Sequence, residues 1–214
     1  MYQLRLMKIK NIIILHLFLC IVYSSSDNDI VLSNMNNETK WSYQYTIDDI
    51  KVYKMNNDSI PIIKLTKQTE SLNDIFEVIL DINNYNQVIS NKKIFTKQIN
   101  IKIESDTLYG YQKISNLIPF IKNRQIIFKL FRVNDNRLDW KLLNSNDILF
   151  DEYNDNYNKV LSYGAGSWQI EGNKLIHYYY IDPELKLPDF LINKAAERSV
   201  MDIFKDVLYF NQSN

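Results

Sequence analysis

The chain has 214 residues, with Lys plus Arg and Asp plus Glu balanced at 25 each, which gives one ordinary domain with ample core material and a short extra segment. The balance argues against a nucleic-acid partner and against recruitment to membranes by charge alone. One cysteine, Cys20, and two histidines, His16 and His177, leave no room for a disulfide framework or a cysteine zinc site.

Residues 1–26 have their own logic. Arg5, Lys8 and Lys10 form a basic head, Ile12 to Tyr23 an apolar run, and Ser24-Ser25-Ser26 a small-residue exit, which together predict a secretory signal cut near Ser26-Asp27. An uncleaved membrane anchor is the alternative, but the run is shorter than the ~20 residues a span needs and contains His16. Lipidation at Cys20 is disfavoured by the bulky Leu19 before it. An exported protein is therefore expected, in a periplasm, a secretory lumen or the medium. His177 is then its one histidine, and within "LIHYYYI" it reads as a packed, hydrogen-bonded side chain rather than a catalytic one.

Residues 27–40 are polar with scattered apolar positions and are read as a lead-in or a short helix; the domain proper is expected over 41–212. "WSYQYTI", "IKVYKM" and "IPIIKLT" are short aromatic and β-branched runs that predict three strands. "ESLNDIFEVILDINNYNQVI" places Leu72, Ile75, Phe76, Ile79 and Leu80 on one helical face, with Ser71 as its cap. From Lys93 the period returns to two through "KIFTKQINIKI", "TLYGYQKI", "RQIIFKLFRV", "LDWKLLN", "VLSYGAGSWQIE" and "KLIHYYYID". Short polar breaks between them predict an antiparallel meander. In "LDWKLLN", Leu138, Trp140 and Leu142 face a dry side, Asp139 and Lys141 a wet one. Gly164 and Gly166 suggest a bulge or bend in their strand. The last element is predicted to start at Pro188 and to run about five turns, with Ile192, Ala196, Val200, Ile203 and Val207 on its apolar face. A curved antiparallel sheet with a long C-terminal helix across its concave face, an α+β arrangement, accommodates this order.

Several motifs resemble the START lipid-transfer family, across nearly all of the chain after the leader, and the resemblance implies the family's helix-grip fold. Trp41 with "IKVYKM" resembles the opening of bacterial START proteins, and "FEVILDINNYNQVI" resembles the family's first long helix and following turn, without its tryptophan. "IPFIKNRQIIF" is similar to the family's Pro, Arg-Asp and aromatic strand, except that Arg124 is followed by Gln125. "GSWQIE" resembles its Gly-x-Trp strand, and "YYYIDPELKLPDFLIN" its Asp, Leu-Pro and Leu/Ile-Asn at the head of the lid helix, with Asp182, Leu187, Pro188 and Asn193 in register.

The resemblance implies a cavity between sheet and final helix that holds one lipid, with transient membrane contact, a monomer, and no catalytic residue, metal or cofactor. Its walls are expected from the dry strand positions Leu108, Gly110, Gln112, Ile126, Phe128, Leu130, Trp140, Leu142, Trp168, Ile170, His177 and Tyr179, and from Ile192, Ala196, Val200 and Ile203 of the lid. Without the resemblance, the same alternation reads as a filled core. Gln112 stands out as a polar residue on an apolar face. Gln112 and Leu130 replace the buried acid and arginine of the family's sterol-binding branch, which favours a phospholipid, fatty acid or isoprenoid over a sterol. The competing readings are a cyclase or hydrolase on the same fold, with His177, Tyr109, Tyr111, Tyr178 and Tyr179 as its titratable candidates, and a filled domain that binds a protein.

Overall fold

Strand positions from residue 42 onward alternate between two faces, and the computed structural model, which describes residues 27–56, 60–90, 95–114, 122–144, 148–153 and 158–213, shows why both faces matter. The expected signal segment lies outside the described residues. The elements are α1 (Asp27–Met35), β1 (Ser42–Ile47), β2 (Ile50–Met55), β3 (Ile62–Gln68), α2 (Ile75–Leu80), α3 (Tyr85–Val88), β4 (Phe95–Glu104), β5 (Thr107–Ile114), β6 (Arg124–Asn134), β7 (Arg137–Leu142), α4 (Ile148–Tyr153), β8 (Lys159–Leu161), β9 (Gly164–Glu171), β10 (Lys174–Ile181) and α5 (Asp189–Ser213). The strands form one ten-stranded curved sheet in the order β1-β2-β3-β10-β9-β7-β6-β5-β4. Every pairing is antiparallel except that of the short β8, which runs parallel to β6. The fold is α+β, and the helix-grip architecture expected from the sequence is the one observed.

The concave face and α5 enclose the main core. It holds Val52, Leu65, Leu108, Phe128, Leu138, Leu142, Trp168 and Leu175 from the sheet, Ile75, Phe76 and Ile79 from α2, and Val200, Met201, Phe204, Val207 and Leu208 from α5. At 25 residues, α5 makes about seven turns, longer than expected. It opens at Asp189 rather than Pro188, whose carbonyl accepts from the amides of Leu191 and Ile192. The single helix expected after Ser71 is also revised. Helix α2 begins only at Ile75, entered through Asp74 in the left-handed region at φ 59°. The amide of Ser71 instead donates to Thr69 Oγ1. A 3-10 turn at Ile82–Asn84 then separates α2 from α3.

The convex face is not uniformly wet, which corrects the reading of "LDWKLLN". Helix α1 buries Asn28, Val31, Leu32 and Met35, one stripe at helical spacing. These residues cluster with Ala165, Ile176, Tyr178 and Tyr180 of β9 and β10. Asp139, expected in water, is 5% exposed. It is held by Arg137, whose Nε and Nη2 donate to its two oxygens at 2.7 and 2.8 Å, and Lys141 pairs with Asp29 of α1. A buried carboxylate persists only with such a partner. Asn28 is the polar pin of this layer. Its Nδ2 donates to the carbonyls of Leu142 and Ser162 at 3.0 and 2.9 Å, and its Oδ1 accepts from the amide of Gly164 at 2.9 Å. A smaller patch of the same face, Tyr111, Ile127 and Leu143, packs with Leu149 and Tyr153 of α4.

Truncating Asn28 removes its bonds to three backbone groups, those of Leu142 and Gly164 buried and that of Ser162 partly so, and a buried group is costly to leave unpaired. Asn28→Ala is expected to destabilise the protein by roughly 2 to 3 kcal/mol, read as a lowered urea midpoint with an unchanged slope. A loss below 0.5 kcal/mol would mean that water replaces the carboxamide.

Candidate functional site

Between the concave face and α5 lies an apolar pocket of about 160 Å³, lined by Gln112 and Ile114 of β5, Ile126, Phe128 and Leu130 of β6, Trp140 of β7, Trp168 of β9, His177, Tyr179 and Ile181 of β10, Ile79 of α2, Tyr85 of α3, Ile89, and Ser199, Ile203 and Val207 of α5. Of the expected wall positions, Gln112, Ile126, Phe128, Leu130, Trp140, Trp168, His177, Tyr179 and Ile203 border it. Leu108, Leu142 and Val200 sit in the solid core, with Ile170 and Ala196 packed against it. Ile192 joins the second cluster with Met55, Ile60 and Ile62. Of the lid's expected apolar face, Ile203 and Val207 border the void and Ile192, Ala196 and Val200 do not. Ser199, Ile203 and Val207 follow one another at four-residue spacing and face the void, whereas Val200, Phe204 and Leu208, one residue on, are buried in the core.

Phe204 explains this rotation. Its ring lies parallel to that of Trp168, with centroids 5.9 Å apart, and Trp168 stacks on His177 at 3.6 Å and 13°. The three rings fill the space under mid-helix as a solid post, and the pocket opens beside it. Sequence reasoning gave Phe204 no role; its place four residues after Val200 and four before Leu208 was the available signal. Tyr85 and Ile89 were missed because they follow the break in the expected helix.

The glycines act through closeness rather than through bulges. Strand β9 pairs with β10 in unbroken register from Glu171 to Gly164, which excludes the bulge, one of the two expected readings. A Cβ on Gly166 would lie 2.3 Å from the Tyr178 carbonyl oxygen and 2.5 Å from Trp140 Cε2. Trp140 thus lies flat against bare backbone and turns its ring, 5.7 Å from that of Tyr179, toward the void. Gly110, expected as wall, instead receives the Phe128 ring: a Cβ there would meet Phe128 Cζ at 2.6 Å.

The electrostatics of the pocket are quiet. Nδ1 of His177 is 3.1 Å from the Ser167 carbonyl oxygen, and burial, partly offset by that bond, pushes the imidazole from its ordinary 6.5 down to about 3. It is neutral at physiological pH. Burial likewise raises the hydroxyls of Tyr179 and Tyr85, and Tyr85 donates to the Ile79 carbonyl at 2.5 Å. Of the other tyrosines weighed for chemistry, Tyr111 bonds Gln125 on the convex face and Tyr178 packs in the cluster that includes α1. Among the described residues no group of three or more His, Cys, Asp and Glu is placed to hold a metal ion.

The lid is tied down mostly at its rims. Glu197 bonds Tyr45 and Lys54, Lys205 pairs with Asp48, Asp206 Oδ2 accepts from the amide and hydroxyl of Ser90 at 2.9 and 3.0 Å, and Asn211 donates to the Ser71 carbonyl at 3.2 Å. Such exposed ties are worth about 0 to 1 kcal/mol each. The loop before α5 is held by Arg124, whose Nε donates to the Pro183 carbonyl at 3.1 Å.

This arrangement of a curved sheet and a long C-terminal helix has counterparts of known structure. The STAR-related lipid transfer protein of Xanthomonas axonopodis superposes with a TM-score of 0.65 at 16% identity, over 81% of this chain and 99% of that one. The fold is START-like. Human StAR-related lipid transfer protein 5 gives 0.63 at 10% identity over 86% of this chain and 92% of its own, and human STARD10 gives 0.62 at 15% over 87% and 81%. No family model and no curated protein matches the chain by sequence, so the likeness is one of fold. Within this START-like frame, Gln125, where the resemblance expects an aspartate, is fully buried and accepts from the Tyr111 hydroxyl at 3.1 Å.

Two outcomes test this geometry. Gly166→Ala is expected to cost roughly 1 to 3 kcal/mol by overpacking and to shift the emission of Trp140; an unperturbed urea midpoint would contradict the close approach. His177 binds a proton in the unfolded chain below pH 6.5 but not in the folded one. Its contribution to stability is complete above that pH and falls by roughly 1.4 kcal/mol per unit on acidification toward 3. Unfolding free energy is therefore expected to drop by about 2 kcal/mol more between pH 7 and 5 than in His177→Phe; equal slopes would mean an exposed imidazole.

Proposed function

We propose that the protein binds one lipid between the sheet and α5 and passes it between membranes, without catalysing a reaction. The observation that carries this reading is the pocket itself, apolar and bordered by Ile, Leu, Val and aromatic side chains, on a START-like fold. Each methylene moved from water onto such walls is worth about 0.8 kcal/mol, so a tail leaves a bilayer when these walls replace its neighbours. A void of about 160 Å³ is close to the ~150 Å³ that holds a single benzene ring. A longer chain therefore enters as α5 moves outward, releasing rim ties that are individually weak. The Arg124-held loop at 182–188 is the hinge.

A non-enzymatic role is supported by the titration of the walls. A general base works best with a pKa near the operating pH, and His177 at about 3 is a poor one. Export is part of the proposal: the basic head, apolar run and small-residue exit of residues 1–26 support it. A monomer in transient contact with membranes completes the reading.

Native mass spectrometry of protein purified from its own cells, followed by extraction, is expected to show one lipid per chain starting at Asp27. Empty protein that also takes up no lipid from mixed vesicles would sink the proposal.

A further inference from the structure

We propose that the pocket is built for an uncharged lipid bearing a hydroxyl, held between the Nε2 acceptor of His177 and the hydroxyl donor of Tyr179. The inference rests on the lipid-binding reading and narrows it to a ligand class.

The first argument is charge. Among the described residues no Asp, Glu, Lys or Arg lines the pocket, and its one imidazole is buried, 2% exposed. A carboxylate or phosphate taken into these walls loses its water and gains no counterion, so the charged form stays outside. The free phospholipid headgroup and the ionised fatty acid are thereby disfavoured as buried groups.

The second argument is hydrogen-bond complementarity. A carbonyl oxygen only accepts, so the 3.1 Å contact between His177 Nδ1 and the Ser167 carbonyl places the ring proton on Nδ1. Nε2 is left with a lone pair and, among the described residues, no protein donor. Stacking on Trp168 fixes the plane of the ring. Tyr179, two residues along the same strand face with its ring 6.1 Å from that of His177, keeps its proton and has no hydrogen-bond acceptor among the described residues. The same strand face thus carries an acceptor and a donor two residues apart. A ligand hydroxyl satisfies both, because it gives one hydrogen and receives another, whereas an ether or ketone oxygen answers only Tyr179. Gln112 of β5, 5% exposed and with no side-chain partner among the described residues, is a second polar point in the lining.

Three probes with one tail separate the possibilities: 1-octanol, octyl methyl ether and octanoate at pH 8, titrated into the full mature chain by calorimetry and by quenching of Trp140 and Trp168. Octanol is expected to bind about tenfold more tightly than either of the others, the worth of one or two buried hydrogen bonds. Tyr179→Phe should weaken alcohol and ether alike, roughly threefold, because it removes the donor to both, and His177→Phe should abolish the preference of alcohol over ether. Should His177→Phe fail to fold, Tyr179→Phe decides. Octanoate binding as well as octanol, or ether matching alcohol in the unaltered protein, overturns this assignment and leaves lipid binding standing. Failure of all three probes removes both.

Discussion

The stack of Phe204, Trp168 and His177 is the constraint on which the site depends. A helix laid across a concave sheet must either fill the gap or leave it hollow, and here three parallel rings fill the middle. Because Phe204 is bound to one side of α5, the residues one position before that row, Ser199, Ile203 and Val207, are turned away from the post and toward open space. The lid's rotation about its own axis is set by one aromatic contact. The same stack takes His177 out of water, and neutrality of the imidazole follows from that burial rather than from any neighbouring charge.

The back of the sheet makes the front possible. A curved sheet with one greasy face and one wet face would carry Ile176, Tyr178 and Tyr180 into solvent; α1 covers them, and the Arg137–Asp139 pair lies under the same cover. Close by, Lys64 sits 5.4 to 5.6 Å from the rings of Trp41, Tyr53 and Tyr178, an arrangement in which a cation is paired with aromatic faces on the outside of β3. The polar contacts of the molecule are concentrated here and at the lid's rims, and they leave the space beneath α5 almost free of them.

Period-two alternation made the concave face legible. Trp140, Trp168, Ile126, Phe128 and Leu130 were assignable to it because strand geometry leaves a residue only two directions to point. Helix positions were less legible. A stripe drawn through Ile192, Ala196, Val200 and Ile203 is correct in amphipathicity, yet the choice between neighbouring rows depends on which side chain meets the sheet, and Phe204 settles that in three dimensions. The cover by α1 went unread because Asn28 breaks its apolar stripe, and an asparagine that satisfies three backbone groups of distant strands resembles any loop residue in one dimension. Gly166 was read as a bend for a similar reason: the indole that needs its missing Cβ lies on another strand.

The reach of Asn28 also bears on the order of assembly. Its partners Leu142, Ser162 and Gly164 stand 114, 134 and 136 positions later in the chain, so α1, first of the described elements to be synthesised, has nowhere to dock until β7 and β9 are in place. Contacts of such long sequence separation form late and slow the whole reaction. This helix is thereby a closing latch, and a nascent chain carrying it keeps its convex side unsealed until β7 and β9 have emerged.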